Sequence, residues 1–555
     1  VEVSGGEAVV GCLVEHGVKT VYGLPGSHVL DVYDALRDES RIRHVTVIHE
    51  VNAAFMADAH GRLTGSPGVC LVTAGPGATN AVTAIAQAYA EASPVVEVTG
   101  HCDTAQRAQP FHGVDDWDFL MKIHRPITKW CARVERVEEI PAVLGEAFAR
   151  ATSGRPGPVH VEIPRDILAS SGTVEGFGAP RPKEDVRGVT AAVEGVAEVL
   201  NSASRPLMAL GRGVLREFCW DGAMRLAEAL GAPVLALRSA LGAVPYQFPL
   251  YVGYDVNRQM NPLIRPLVEE ADVILTLGLD LGERLGTFPD KAGVLVHVHQ
   301  GPPTATGREA GTRGPEPLMD VETGIGDFVA SLLGRVRPRG VAVRAVEDRV
   351  SGVKEEIRRQ VMESIRWGSR PVHPGEVCVE LGRVLDEDAV VAVDLGNCYP
   401  WMRVCYGVRR PNTFLDGGRY GSMGFSLPAA MAAKVNFPGR QAVAVTGDGA
   451  FLMSSMDFPT AVKEGLGVVV VVMYNRQYGM IWQLQTGRFG GRTFATEIGT
   501  PDFAEYARSF GAVGVRVREP GELRGALEEA VNAGGPAIVD VETDYQCPFY
   551  RPRFR

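Results

Sequence analysis

Ala442-Val443-Ala444-Val445-Thr446-Gly447-Asp448-Gly449-Ala450-Phe451, then the apolar run 468–473 and Tyr474-Asn475-Arg476-Gln477-Tyr478-Gly479, is the stretch that decides the architecture. Each piece opens with small and β-branched apolar residues, the composition of a strand buried on both faces, and ends in a polar turn. In a parallel sheet both turns fall at the carboxyl edge, where open α/β folds bind their ligands. The segment 455–464 between them is long enough for one crossover helix. The two strands can therefore be neighbours, with Asp448 beside Asn475.

The same alternation runs outward from this stretch. Strand-like runs at 389–393 and 537–541 complete the C-terminal block, and 207–210, 234–237, 273–277 and 294–298 form a middle one. Near the start, strands at 18–24, 44–48, 68–73 and 95–99 alternate with helical patterns at 29–37, 51–63 and 78–91, the signature of parallel βαβ units. Gly, Pro and mixed charges at 171–187 read as a linker, and an Arg/Pro-rich stretch places a second near 335–370. The reading is three doubly wound α/β domains with mainly parallel sheets, at 1–170, 188–335 and 370–555. The blocks show no strong sequence repeat.

A chain of 555 residues is too long for one core, which agrees with three domains. Its 45% hydrophobic and 22% charged residues are those of a globular protein, and a net charge of −10 leaves no basic footprint for nucleic acid. No run of about 18 uninterrupted apolar residues suggests a membrane span. The start, Val1-Glu2-Val3-Ser4, does not read as a signal peptide. Nine scattered Cys, never in C-x-x-C spacing, favour buried thiols in a reducing cytoplasm over disulfides or a zinc site.

Taken singly, an Asp-Gly turn and a loop Asn are ordinary. Together at a strand-edge spacing of 27 residues (475 − 448) they suit Mg²⁺, which takes hard oxygen ligands and shares its shell with phosphates. A carboxylate, an amide oxygen and a turn carbonyl leave room for two diphosphate oxygens and a water. Gly447 and Gly449 let the backbone approach an anion, and the following helix start offers free N–H groups.

Gly447-Asp448-Gly449 followed by Asn475 resembles the signature of thiamine-diphosphate-dependent enzymes, with Tyr474 replacing the first residue of the usual Asn-Asn pair. The resemblance implies thiamine diphosphate with Mg²⁺ held by Asp448, Asn475 and the carbonyl of Gln477. It extends cofactor contacts to Ala450, Tyr478, Gly479 and Met480. His49-Glu50-Val51-Asn52-Ala53-Ala54, closing on Gly61-Arg62-Leu63-Thr64-Gly65, resembles the pyrimidine-domain motif of the acetohydroxyacid synthase and pyruvate oxidase branch. An acid at a helix start is commonly only a partner for the helix dipole. In this branch, however, the glutamate hydrogen-bonds the aminopyrimidine ring and holds the proton that activates the cofactor, which makes Glu50 the catalytic acid.

Further elements fit. Thr73-Ala74-Gly75-Pro76-Gly77-Ala78-Thr79-Asn80 matches a turn beside the pyrimidine, implying contacts from Thr73 and Asn80. Gly421-Ser422-Met423-Gly424 matches the element in which the carbonyl of Gly421 receives the 4′-amino group and Met423 wedges between the two rings. Asp394-Leu395-Gly396-Asn397-Cys398 resembles the diphosphate-contacting loop, and Leu24-Pro25-Gly26-Ser27 puts Pro25 at the cofactor and Ser27 where benzoylformate decarboxylase has a substrate-binding Ser. Because Glu50 and Asp448 lie on different domains, the family places the cofactor between subunits: a homodimer at least, with a homotetramer as the expected assembly.

The best whole-chain resemblance is to the acetohydroxyacid (acetolactate) synthase large subunit, supported by Pro126-Ile127-Thr128-Lys129, Leu277-Gly278 followed by Arg284, and Gln483 with Gln485. Departures are informative. The Ala-Phe-Gln-Glu element reads Pro110-Phe111-His112-Gly113, and the Trp that narrows the acceptor pocket aligns with Leu484. The acidic flavin-ribose region reads Val296-His297-Val298-His299 and Gly211-Arg212-Gly213 is a lone glycine turn, so FAD has little support. His112, which replaces a substrate-facing Gln, leads His28 and Asp115 as the acid/base candidate near the reacting carbon. The leading reading is decarboxylation of a 2-oxoacid with carboligation. The alternative is a lyase or a non-ligating decarboxylase, acting on a 2-oxoacid or a 2-hydroxyketone. A flavin oxidase ranks third. A non-catalytic cofactor-binding subunit has no need of Glu50.

Overall fold

The computed structural model describes residues 1–106, 111–178, 189–254, 261–279, 293–301, 317–340 and 342–547. These form three six-stranded sheets, every strand pair parallel, plus a two-stranded antiparallel ribbon joining Glu2–Ser4 to Ser171–Thr173. The first stretch read as a linker thus begins by pairing with the chain start.

The first and third sheets share one winding, and the second has another with a reversal of its own. In the first the spatial order is Arg43–Thr46, Thr20–Gly23, Gly68–Val72, Val95–His101, Pro158–Pro164, Trp130–Arg133. In the second it is Tyr251–Tyr254, Val234–Ala236, Pro206–Leu210, Val273–Leu277, Val294–His299, Met319–Glu322. In the third it is Phe414–Asp416, Val390–Val393, Ala442–Gly447, Val468–Tyr474, Ala537–Glu542, Val513–Val517. In each, the chain steps to one side of its starting strand and then returns to the other. The two loops leaving the reversal point diverge and open a crevice at the carboxyl edge. Those crevices lie at Leu24–Ser27 with Thr73–Gly77, at Gly211–Gly213 with Gly278, and at Asp394–Asn397 with Gly447–Ala450.

The first and third domains share one apolar core. Helix Glu50–Thr64 is Ala-rich and almost wholly buried, and it lies against the equally Ala-rich helix Ser426–Asn436. Small side chains let the two axes approach, with Phe55 edge-on to Phe425 at 5.6 Å. The helix ends on Gly65 at φ 75°, a left-handed cap that suits glycine. Asp457 of the third domain accepts the backbone N–H of Ile48 at 2.6 Å and of His49 at 3.3 Å, fixing the turn that leads into Glu50.

Two expectations need correction. The segment 335–370 is not a simple linker: residues Ala342–Ser364 form a 23-residue helix. Its dense Arg and Glu content looks like a solvated connector, yet Val346, Val350, Val353, Ile357 and Val361 recur at helical spacing and bury one face. The crossover after Asp448 is also divided, into Asp448–Leu452, a 3₁₀ turn at Ser455–Asp457 and Phe458–Lys463. Arg284 and Pro110 lie outside the described residues. No described helix is long and apolar enough to cross a membrane, and all nine Cys are free thiols.

Candidate active site

Strands Ala442–Gly447 and Val468–Tyr474 are neighbours in register, so their turns meet. Asp448 is buried, and its Oδ2 accepts the backbone N–H groups of Asn475 at 2.9 Å and Arg476 at 2.6 Å. Burial pushes the Asp448 carboxyl above its ordinary range, although these N–H groups and that of Gly449 oppose the shift. Asn475 Oδ1 accepts from Gln477 N at 3.1 Å, which curls the turn back on itself.

These residues border a cavity lined by Gly447, Asp448, Gly449, Ala450, Asn475, Gln477, Tyr478, Gly479 and Met480 on one side and Asn397, Cys398 and Met423 on the other. Two glycines shape it. A side chain at Gly449 would lie 2.6 Å from the Tyr478 ring, and one at Gly479 would lie 2.6 Å from Asn397 Nδ2. Both amide atoms of Asn397 and Oε1 of Gln477 are buried without a hydrogen-bond partner. An unmet buried polar atom costs about 1–3 kcal/mol, so this edge is built for a polar ligand. Carboxylate, amide oxygen and free turn carbonyl are the donor set a hard cation with a diphosphate takes, and the residues fit both groups.

Asp394 holds the opposite wall in place. It is fully buried, and Oδ1 accepts the N–H groups of Phe425 (2.8 Å) and Ser426 (3.1 Å). Its Oδ2 accepts the hydroxyls of Ser426 (2.6 Å) and Thr446 (2.8 Å). Burial raises this carboxyl too, against the four bonds that lower it. One side chain thereby ties two strand ends to the start of helix Ser426–Asn436, beyond Gly421 and Met423. Gly421 sits at φ 75° and donates to Gly417 O at 2.8 Å.

The first-domain crevice collects the other expected residues. Glu50 begins its helix 7% exposed, and Oε2 accepts Asn80 Nδ2 at 2.9 Å. Thr73 lies beside it: a side chain at Gly77 would meet Thr73 Cγ2 at 2.8 Å and Glu50 Oε1 at 3.6 Å. Gly26 approaches the Thr73 side chain equally closely, and Pro25 and Ser27 are exposed at the rim. Ser27 Oγ lies 3.1 Å from His28 Nδ1. Burial, with His112 adding to it, pushes the His28 imidazole down to about 4, so it is neutral near pH 7. The His28 and His112 rings are 5.0 Å apart, and His112 sits at φ 62° with Nδ1 buried and without a partner. Gly75 makes room for that loop, since a Cβ there would lie 2.1 Å from His112 O. Asp115 is exposed.

The structure therefore assembles two groups. None of the residues lining the Asp448 cavity comes from the first domain, so Glu50, Asn80, Ser27 and His112 stand apart from it within one chain. Leu395 of the quoted loop lines the cavity as well, and Pro374, Met473, Ile481 and Thr543 line it too and were missed by sequence reasoning. Thr543 follows the strand Ala537–Glu542 and was in principle readable as a carboxyl-edge residue; Pro374 carries no such signal. In the central crevice the glycines serve each other: a Cβ on Gly213 would lie 2.5 Å from Gly278 Cα, and Gly213 N donates to Gly278 O at 2.8 Å. His297 bonds Thr276 Oγ1 at 2.6 Å and His299 bonds Asp320 at 3.0 Å.

Family models for the thiamine pyrophosphate enzyme match the N-terminal TPP binding domain at residues 3–119, the central domain at 193–311 and the C-terminal TPP binding domain at 394–541. The chain is 31% identical to the probable acetolactate synthase large subunit of Methanocaldococcus jannaschii, covering 97% of this chain and 92% of that protein. It is 32% identical to the acetolactate synthase of Bacillus subtilis (98% and 93% covered) and 32% identical to the isozyme 3 large subunit of Escherichia coli (98% and 95%). With three α/β domains each matched in order, the chain belongs to the thiamine pyrophosphate enzyme family and is a thiamine-diphosphate-dependent enzyme that makes or breaks carbon–carbon bonds.

Proposed function

We propose that the protein decarboxylates a 2-oxoacid and joins the resulting fragment to a carbonyl acceptor, a reading supported by its similarity to proteins named acetolactate synthase. The observation that carries this reading is Glu50, a nearly buried carboxyl held by one amide at 2.9 Å, in the same chain as a separate buried carboxylate at a diphosphate-sized turn. Asp448, Asn475 Oδ1 and the Gln477 carbonyl would hold Mg²⁺, and Asn397 with the N–H of Ala450 would hold the diphosphate, which Gly449 lets approach. Bound thiamine diphosphate supplies the carbanion chemistry, while the protein supplies orientation and proton control. Glu50 would hydrogen-bond the pyrimidine edge, with Asn80 fixing its orientation. Ser27, neutral His28 and His112 lie at the same mouth, where they bind the substrate carboxylate or move a proton to a product oxygen.

Glu50 and Asp448 occupy different domains, and around them Ile48 (57% exposed), Phe111 (63%) and Ile481 (48%) leave apolar side chains uncovered. A second copy would cover them while bringing its Glu50 to this Asp448, so the functional unit is at least a homodimer and a homotetramer is the larger assembly we favour. Release of a free aldehyde is the second reading. It is favoured by the Ser27–His28 contact and by Leu484, exposed where the synthase acceptor wall carries Trp. The test is incubation of the Mg²⁺- and thiamine-diphosphate-loaded protein with pyruvate and with branched and aryl oxoacids. CO₂ with acetolactate supports ligation, and CO₂ with aldehyde supports the second reading. No CO₂ from any oxoacid overturns oxoacid decarboxylation and points to a lyase, which cleavage of a 2-hydroxyketone to free aldehyde would then show.

A further inference from the structure

The helix Ala342–Ser364 borders a second, larger cavity. With the edge strand Tyr251–Tyr254 and helices Pro374–Val384 and Cys398–Cys405 it encloses about 500 Å³ between the central and third domains, a size and position typical of small-molecule sites. It shares no lining residue with the Asp448 cavity. Val361, Val379, Val404 and Tyr406 give it apolar walls, while Lys354, Arg358, Arg383, Arg403 and Arg409 bring positive charge against one carboxylate among the described lining residues, Glu387.

Among the described residues, two of these cations form no ion pair with an acid. Lys354 Nζ donates to the carbonyls of Tyr246 (3.0 Å) and Phe248 (3.2 Å) and lies 5.3 Å from the Tyr246 ring centroid. Arg409 donates to the carbonyls of Leu385 and Asp386 (3.0 Å), and its Nε is buried without a partner. Among the described residues no carboxylate forms an ion pair with either. Both flank one junction, where Tyr246 N donates to Val408 O at 2.7 Å and Gln247 Nε2 to Arg409 O at 2.9 Å. A half-buried charge met mainly by carbonyl dipoles and ring faces is costly, and an anion beside it returns part of that cost. Apolar walls of this extent do not suit a hydrated inorganic ion. We propose that the cavity is a binding site for a small amphipathic anion: a carboxylate or phosphate head met by Lys354 and Arg409, and an apolar body lying on Val361, Val379 and Tyr406.

The probe is 8-anilinonaphthalene-1-sulfonate, an aromatic anion that fluoresces in apolar surroundings, titrated into the loaded enzyme. One saturable site per chain is expected, weakened about tenfold by Lys354→Met or by Arg409→Met. Gly382 faces the cavity from a helix, and a Cβ there would meet only Tyr406, at 3.9 Å. Gly382→Leu should therefore fill the space, abolish the fluorescence and keep both helical circular dichroism and cofactor-dependent turnover. Displacement by 4-phenylbutyrate identifies a carboxylate site and displacement by phenyl phosphate a phosphate site; displacement by neither overturns the proposal. So does binding that Gly382→Leu and Lys354→Met leave unchanged, or binding competed by thiamine diphosphate, which would put the probe in the Asp448 cavity.

Discussion

The crevices at Glu50 and at Asp448 occupy the same point of the same winding, yet they are furnished in opposite ways. At Asp448 the loops present oxygen atoms and buried amides that lack partners, set on glycines that bring backbone close. At Glu50 one acid stands at the head of an Ala-rich buried helix, and its hydrogen-bond partner comes from the same domain. The central domain is wound differently but also has a reversal point, and it fills that point with its own backbone at Gly211, Gly213 and Gly278. Topology thus fixes where a ligand can sit. What sits there depends on whether the turn residues leave donors unmet, bury an acid or consume the space.

The largest effect that tests this division is Asp448→Ala. We expect cofactor-dependent turnover to vanish, a loss well beyond the roughly 10–100-fold that a supporting partner costs a metal site. Mg²⁺-dependent binding of thiamine diphosphate, followed by calorimetry, should vanish with it. Tight binding by this variant would mean that the oxygen-rich crevice is not the anchoring one.

Glu50→Gln should separate the two crevices. Turnover is expected to fall about 10²–10⁴-fold, the usual worth of a positioned proton donor, while Mg²⁺-dependent cofactor binding persists. Asn80→Ala, which removes only the amide at 2.9 Å from Glu50, should cost about tenfold. If Glu50→Gln lowered binding and turnover together, the acid would be an anchor like Asp448 and the contrast would fail.

Much of this was legible before any coordinates. Buried-type runs ending in Gly447-Asp448-Gly449 and Tyr474-Asn475 specify neighbouring strands because only a parallel sheet buries such runs on both faces. Tyr474 itself, an anomaly in the motif, points away from the ligand turn: its hydroxyl accepts from Arg516 at 2.6 Å. What stayed hidden rests on contacts between distant residues or on a pattern masked by charge. Nothing in the local sequence says that Asp457 caps the backbone at Ile48, 409 residues away. Asp394 looks like one more strand-end acid until its four hydrogen bonds are counted. The helix Ala342–Ser364 has its thin Val/Ile stripe diluted by Arg and Glu, so composition outvoted periodicity.

The smallest expected effect concerns what lies beneath the crevices. Under Asp448 the strand Val468–Tyr474 is apolar, whereas the first sheet buries Glu97, His160 and Glu162 on adjacent strands. His160 Nδ1 lies 2.8 Å from Glu97, and its ring stacks on His124 at 3.9 Å. Burial alone would lower the His160 pKa, but Glu162 and Glu97 raise it to about 9, while burial of Glu97 is outweighed by His124 and His160, which hold it down to about 2. The raised histidine stabilises the fold fully below its unfolded value near 6.5, and that contribution is lost as pH climbs through 9. The lowered carboxylate contributes above about 4.3 and loses its effect as pH falls towards 2. Denaturant unfolding should therefore weaken by on the order of 3 kcal/mol between pH 6.5 and 9, and His160→Gln should flatten that slope. Neither Glu97 nor His160 lines the Asp448 cavity or bonds to Glu50, so turnover at pH 7 should change far less than in Glu50→Gln. A folded His160→Gln protein that had lost turnover would show that the buried charges serve the Glu50 crevice, and that the two crevices differ in their foundations as well as in their mouths.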